Sequence, residues 1–260
     1  METITTRGRS VKIPTHVSEL TPAQYEYYVF LAYALGAGVI DGDYFRVRWL
    51  SFLIGLGKAD YTLLKEQHVE ELKAQAGAIE GFFVAEGDRV HLDFNTPVNL
   101  LPSYGGYQGP GDWLEGVTYG EFVECLTIAE NLHQMDEQEV AEGYAHIARR
   151  LYHIPDGEKV PDLLAFHAPT LLASVWKAIL AGPVEINGKK IDLRIIFRSS
   201  GGGKKPDDKT GWTGITFEVA TAGLFGNVAE VERTDMWAVL IYLYKCKFEY
   251  LNEKRNTPNK

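Results

Sequence analysis

The stretch Thr118–Pro155, TYGEFVECLTIAENLHQMDEQEVAEGYAHIARRLYHIP, predicts two helices joined by a tight polar turn. Thr118 with Glu121, and Asp136 with Glu139, form capping boxes, in which each partner satisfies a free amide of the other. Apolar side chains recur at helical spacing in both segments, and the final proline ends the second helix. We therefore expect an antiparallel helical hairpin that buries one stripe of each helix. Nothing in it is catalytic by spacing.

The apolar pattern extends this helical interpretation along most of the chain. Further helices are predicted at 22–35, 44–54, 60–79 and 169–180, and from a Thr234 cap to about residue 255. Two segments alternate around turn signals and predict β-hairpins, at 82–94 and 184–198. The predicted fold class is predominantly α with two small β-hairpins (α+β), with a helical core built on antiparallel helical hairpins.

A Gly- and Pro-rich loop near the middle of the chain, within 95–116, is the best candidate for a division. It separates an N-terminal helical half at 13–115 from a C-terminal helical half at 116–260. Residues 1–12 are polar and predict a mobile arm. Residues 199–211 predict a flexible loop. The pattern is also compatible with one single domain.

The charge balance is acidic, because 26 Lys and Arg stand against 35 Asp and Glu, giving −9. An acidic surface repels phosphate, so we expect no nucleic acid among the partners. No apolar run approaches the roughly 18–20 residues that cross a bilayer, and the first residues lack the apolar core of a secretory signal. We therefore expect no membrane association and a cytoplasmic location. Cys125 and Cys246 are predicted to be buried, reduced thiols.

The sequence matches neither the phosphate-binding loop pattern nor the spacing of histidine metal ligands. The glycines before Lys204 suggest a phosphate loop, but Arg198 and Lys205 stand where the Walker pattern needs Gly and Ser or Thr. His146 and His153 share a helix face but lie about 10 Å apart along the axis, too far to share a metal. That face is predicted to be exposed, with Glu142 contacting His146. We expect no catalytic, cofactor-binding or metal-binding residue.

Aromatic side chains are the candidates for contact with a partner protein. The loop within 95–116 could lie across the protein's own core or present its aromatics to a partner. The last helix carries a regular apolar stripe that includes Trp237 and Tyr244. The predicted partner-binding residues are Tyr104, Tyr107, Trp113, Trp237 and Tyr244.

Three segments carry a resemblance to known proteins. The first is Ile13–Pro14–Thr15 with Leu20–Thr21 and Gln24–Tyr25, similar to an "IPxxWxxLTxxQY" opening. The second is Gly109–Pro110–Gly111–Asp112 with Leu114, then Val117–Thr118 and Gly120–Glu121–Phe122, leading to Leu151–Tyr152–His153–Ile154–Pro155, similar to "GPxDxLxNxTxGEF … LYRP". The third is Gly223–Leu224–Phe225–Gly226–Asn227–Val228, leading to Val239–Leu240, similar to "GxFGNxxxVxxTxxxxVLxYL". These patterns resemble those of tail-region proteins of tailed bacteriophages and prophages, particularly of Bacteroidetes-type hosts. The sequence departs at His16–Val17, where an aromatic is usual, and at His153–Ile154, where Arg is common.

The resemblance implies a virion or assembly component, such as a tail assembly chaperone that engages the tape measure or tube protein, or self-associates. Its location would be the host cytoplasm, with incorporation in the virion left open. An intracellular regulatory binding module encoded by a phage and an enzyme of unrecognised class are the alternatives. A deep pocket with a buried acidic or histidine cluster would favour the enzyme.

Overall fold

The computed structural model describes residues 1–6, 9–56, 66–87, 89–186, 188–197 and 210–256. The chain forms two compact units, Met1–Leu101 and Pro102–Lys260. The boundary falls inside the Gly- and Pro-rich loop, ahead of the division predicted after residue 115. Most described residues are helical, and the strands form small two-stranded antiparallel sheets. The predicted fold class is confirmed.

The first unit consists of two β-hairpins and three described α-helices. The strands are β1 (Glu2–Thr6), β2 (Arg9–Ile13), β3 (Phe83–Glu86) and β4 (Arg89–Leu92). The helices are α1 (Pro22–Gly36), α2 (Gly42–Leu53) and α3 (Glu66–Ala74), and a 3₁₀ helix follows at Ala76–Phe82. The predicted 82–94 hairpin is present as β3 and β4. Residues 57–65, the start of the helix predicted at 60–79, lie outside the described residues.

An aromatic cluster fills the core of this unit. Tyr28, Phe45, Trp49 and Phe82 are all fully buried. The Tyr28 hydroxyl donates to the carbonyls of Phe82, at 2.9 Å, and Asp93, at 3.1 Å. This pairing satisfies the only polar atom of a ring that sits among apolar groups.

The N-terminal residues form a β-hairpin where the sequence predicted a mobile arm. β1 pairs with β2 from Glu2 opposite Ile13 to Thr6 opposite Arg9. Ile4 and Ile13 are buried. The polar composition concealed this hairpin, because inward-facing positions alternate with outward-facing positions, which are free to be polar.

The second unit is built mainly from helices. Its helices are α4 (Tyr119–Asn131), α5 (Glu137–Leu151), α6 (Asp162–Ala181), α7 (Arg194–Phe197), α8 (Gly211–Thr221), α9 (Val228–Arg233) and α10 (Met236–Asn256). Its strands are β5 (Ser103–Tyr104), β6 (Tyr107–Gln108), β7 (Val184–Ile186) and β8 (Lys189–Ile191). The predicted hairpin of 118–155 is the pair α4 and α5, and both of its capping boxes are present. The α5 helix packs most extensively on α6.

Three segments of this unit differ from the sequence prediction. α6 begins at Asp162 and passes through Pro169, which was predicted to start the helix. Proline costs an internal hydrogen bond, but the residues on both sides of it are buried and keep the helix continuous. The predicted hairpin 184–198 ends at residue 191, because the Asp192 carboxylate accepts from the Arg194 amide and opens α7. Most of the predicted loop 199–211 lies outside the described residues, and Gly211 begins α8.

The last helices show a cap that the sequence did not assign. α10 is capped by Asp235, whose carboxylate accepts from the amides of Trp237 and Ala238. Thr234, the predicted cap, donates its hydroxyl to the Glu230 carbonyl instead. That contact belongs to α9, a short helix that the sequence analysis missed.

α6 is long and apolar enough to span a membrane by length and composition alone, so the expectation that no apolar run approaches that length is wrong. Leu171, Leu172, Val175 and Ile179 are buried within the second unit. The helix is therefore used here as a core helix.

His167 on α6 is the source of a predicted acid sensitivity. Burial lowers the pKa of His167 from 6.5 to about 4. Below pH 6.5 the unfolded chain takes up a proton that the folded chain refuses, so stability is lost as pH falls towards 4. We expect this histidine to cost about 2 kcal/mol of unfolding free energy between pH 7 and pH 5. His167→Gln should flatten that dependence in urea titrations at both pH values.

The exposed His133→Gln is the matched control and should keep the wild-type pH dependence. If the free energy of unfolding changed equally between pH 7 and pH 5 in the wild type and in His167→Gln, His167 would not be the source of the acid sensitivity.

The two cysteines differ in exposure. Cys125 is buried, as predicted, but Cys246 is exposed, so that half of the prediction is wrong. Its position on α10 lies nearly two helical turns after Leu240, a buried residue of the same helix. Burial raises the pKa of the Cys125 thiol to about 12.

We expect one thiol to react with a disulfide reagent in the native protein and both to react in denaturant, because only exposed thiolates attack. Cys246→Ser should abolish the native reaction, and Cys125→Ser should preserve it. Rapid labelling of Cys125 in the folded chain would contradict this.

Candidate binding site

Two of the predicted partner-binding residues meet in the second unit. Trp113 lies in the loop before α4, and Trp237 lies in the first turn of α10. Their ring centroids are 6.4 Å apart in an edge-to-face arrangement at 65°. The Trp237 indole nitrogen donates to the Trp113 carbonyl at 3.0 Å. Two side chains separated by 124 positions are therefore fixed against each other.

The Trp113 loop holds a backbone conformation that is rare for bulky residues. Trp113 and Leu114 both have positive φ, at 58° and 60°. Such a conformation persists only where the surroundings hold it. Here the Gly111 amide donates to the Glu115 carbonyl at 2.8 Å, and the Glu115 amide donates to the Asp112 carbonyl at 3.1 Å. Leu114 is fully buried and anchors the loop.

The loop and α4 are also tied to the start of α10. The Tyr119 amide donates to the Thr234 carbonyl at 2.7 Å, and the Met236 amide donates to the Val117 carbonyl at 3.1 Å. These bonds form the bridge between Thr118 and Asp235. They set the position of Trp237 relative to Trp113.

The tryptophans and the β7 strand enclose a cleft of about 270 Å³. Its apolar wall is made by the two rings with Val184 and Ile186. Three acidic residues, Asp112, Glu115 and Glu185, complete the lining. The two tryptophans were predicted from the sequence, whereas the three acidic residues were not, although Asp112 and Glu115 flank Trp113 in the chain. We call this set the tryptophan cleft.

The other predicted partner-binding residues lie elsewhere in the second unit. Tyr104 and Tyr107 pair across the small β5–β6 hairpin. The Tyr107 hydroxyl donates to Glu158. Tyr244 is half-buried on α10, two turns after Trp237, and stacks on Phe248 with centroids 5.9 Å apart. None of these three lines the tryptophan cleft.

A second cavity, of about 500 Å³, lies beside the start of α4. On its wall Glu124 bonds His146 of α5 at 2.6 Å and pairs with Arg150 at 3.0 Å. His146 thus contacts Glu124 and not Glu142, whose carboxylate accepts from Gln138. The sequence prediction was wrong here because it considered neighbours on one helix only. Opposite charges compensate each other across α4 and α5, which is the pattern of a helix-joining network.

The buried hydroxyl of Tyr119 also borders this cavity and makes no hydrogen bond of good geometry within the described part of the chain. Burial raises the pKa of Tyr119, and the neighbouring Thr216 hydroxyl opposes the rise. A neutral phenol at this depth is a core side chain with a polar tip, not an activated acid or base.

An apolar groove of about 510 Å³ runs between α4 and α6. Leu126, Leu172 and Trp176 form its floor, and Glu130 and Lys177 stand among its lining residues. Within the residues that the structure describes, no group of three or more His, Cys, Asp and Glu side chains could hold a metal ion.

The fold and the cleft define a helical protein with a small cleft that acidic and aromatic residues line. No family model, curated protein or solved structure matches the chain.

Proposed function

We propose that this protein acts by binding other proteins, as a tail assembly protein or virion structural component of a tailed bacteriophage or prophage. The tryptophan cleft is the observation that carries the binding role. Tryptophan anchors next to polar groups are typical of the energetic centre of protein interfaces. The phage assignment rests on the three resembling segments, and the proposed location is the host cytoplasm.

The resembling segments have structural roles that favour a binding scaffold over a catalytic site. A Cβ on Gly109 would stand 2.4–3.0 Å from ring carbons of the buried Tyr152, so glycine allows the two ends of the second segment to touch. A Cβ on Gly120 would stand 3.0 Å from the Glu232 carbonyl, between the second and third segments. The first contact lies just before the Trp113 loop, and the second joins α4 to α9.

Exposed aromatic surface on α10 adds to this support. Phe248 and Tyr250 are 48% and 47% exposed, towards the end of the helix. Aromatic side chains of this size contribute large contact areas when a partner covers them.

The test is affinity capture of tagged protein from cells that express the neighbouring genes, followed by mass spectrometry. We expect a tail tube or tape-measure protein to be enriched. Trp237→Ala should lose most of that enrichment, because anchor tryptophans commonly contribute about 2 kcal/mol or more to binding. Phe217→Ala removes an exposed aromatic (57%) outside the cleft and is the matched control.

Circular dichroism of each variant separates lost binding from lost folding. A host regulator captured in place of a tail protein would contradict the phage assembly role. If Trp237→Ala enriched the tail protein as strongly as the wild type does, the tryptophan cleft would not be part of the interface.

A further inference from the structure

We infer that the tryptophan cleft binds a cationic side chain, arginine in preference to lysine, presented by the partner protein. This inference rests on the proposed function, because it names the chemistry of the partner at the same cleft. It follows from three properties of the cleft: its charge, its aromatic faces and its size.

The charge of the cleft is one-sided. Asp112, Glu115 and Glu185 are acidic, and none of the described residues that line the cleft is cationic. All three acids are exposed at the surface, where the chain as a whole carries −9. Carboxylates held beside an apolar wall attract a cation and repel an anionic or phosphate-bearing ligand.

The aromatic faces supply a second attraction for the same ligand. Tryptophan is the best aromatic partner for a cation placed over its ring. Trp237 is held by its bond to the Trp113 carbonyl, and Trp113 is held by its constrained loop. Neither ring therefore has to be ordered when the ligand arrives, which favours binding.

The size of the cleft fits one side chain. Its volume of about 270 Å³ is just below the range of about 300–1,000 Å³ that is typical of sites for drug-sized ligands and cofactors. A guanidinium is planar, stacks on an aromatic face and donates paired hydrogen bonds to a carboxylate, so arginine matches both walls. Lysine offers a point charge and matches the carboxylates alone.

One cation of the chain itself is a cross-strand neighbour of Glu185. Lys190 stands directly opposite Glu185 in the β7–β8 register, so both side chains project from the same side of the hairpin. Lys190→Gln should consequently strengthen binding of an added cation, because it removes a positive charge next to Glu185.

The experiment follows the Trp237 indole N–H resonance of the full chain by ¹⁵N-correlated NMR, with Trp237→Phe used to assign it. Three capped pentapeptides are titrated, identical except for a central arginine, lysine or citrulline. Citrulline keeps the shape of arginine and removes its charge. We expect a saturable shift with arginine, a weaker response with lysine, and binding of the citrulline peptide that is weaker by about tenfold.

Charge variants locate the attraction. The double variant Asp112→Asn/Glu185→Gln should bind the arginine peptide about fivefold more weakly, and this binding should depend less on salt concentration. Glu218→Gln removes an exposed carboxylate outside the cleft and should leave binding unchanged. Equal responses to arginine and citrulline, or no saturable shift of Trp237, would overturn the inference.

The two proposals fail in different ways. If a tail protein were captured in a Trp237-dependent way but the arginine and citrulline peptides bound equally, the cationic ligand would be refuted and the protein interface supported. If the cleft bound the arginine peptide selectively but no tail protein were captured, the cation preference of the cleft would be supported and the phage assembly role refuted.

Discussion

Replacing Trp49 with alanine is expected to lower the free energy of unfolding of the first unit by about 3–5 kcal/mol. Trp49 is fully buried on α2. Its ring centroid lies 5.1 Å from that of Tyr28 and 5.4 Å from that of Phe82. Alanine would leave a cavity in the centre of the aromatic cluster, which these neighbouring rings are too rigid to fill.

Trp49→Phe should cost less than this truncation. The Trp49 indole N–H is buried and has no hydrogen-bond partner among the described residues. Phenylalanine keeps most of the ring contacts and removes that unpaired donor, whose burial is unfavourable. Hydrogen exchange of peptides from residues 1–101, measured by mass spectrometry, reports the stability of this unit.

Phe30→Ala is the control on the neighbouring helix, because Phe30 is 58% exposed. It should cost about 1 kcal/mol or less. If Trp49→Ala were no more costly than Phe30→Ala, the aromatic cluster would not be the core of the unit.

The second large effect is expected from a single methyl group at Gly81. A Cβ there would stand 2.3 Å from the Thr15 carbonyl oxygen and 2.8 Å from the His16 ring nitrogen. The carbonyl belongs to the backbone and cannot rotate away. Gly81→Ala should therefore lower the free energy of unfolding by about 3 kcal/mol, at the upper end of overpacking effects.

Gly77→Ala is a matched control in the same 3₁₀ helix, since a Cβ at Gly77 meets nothing within 4 Å. It should be neutral or slightly stabilising, because alanine restricts the unfolded chain. Urea unfolding of the three proteins gives the comparison, and the reverse order of the two variants would refute the close approach of the 3₁₀ helix to residues 15 and 16.

Local signals in the sequence were interpreted correctly where their physical cause is local. The capping boxes at Thr118 and Asp136 each require only four consecutive residues. The 82–94 hairpin and the long stripe of α10 follow from periodicity within one segment.

Predictions failed where burial by distant residues decided the outcome. α6 continues through Pro169 because apolar side chains on both sides of it are buried. The N-terminal strands pair although their sequence is mostly polar, and Ile4 and Ile13 on one face of the hairpin are buried. His146 found its carboxylate on another helix.

The candidate site shows the same division. Sequence alone selected Trp113 and Trp237 as exposed-aromatic candidates, and it determined the helices that carry or flank them. It held no information that the two rings meet, because that contact depends on hydrogen bonds between the Trp113 loop and the start of α10. The third acidic residue of the lining, Glu185, belongs to the β7–β8 hairpin, which lies between the two tryptophans in the chain. Helix and cap formation were thus determined by neighbours in sequence, whereas the cleft was decided by packing, which is cooperative and non-local.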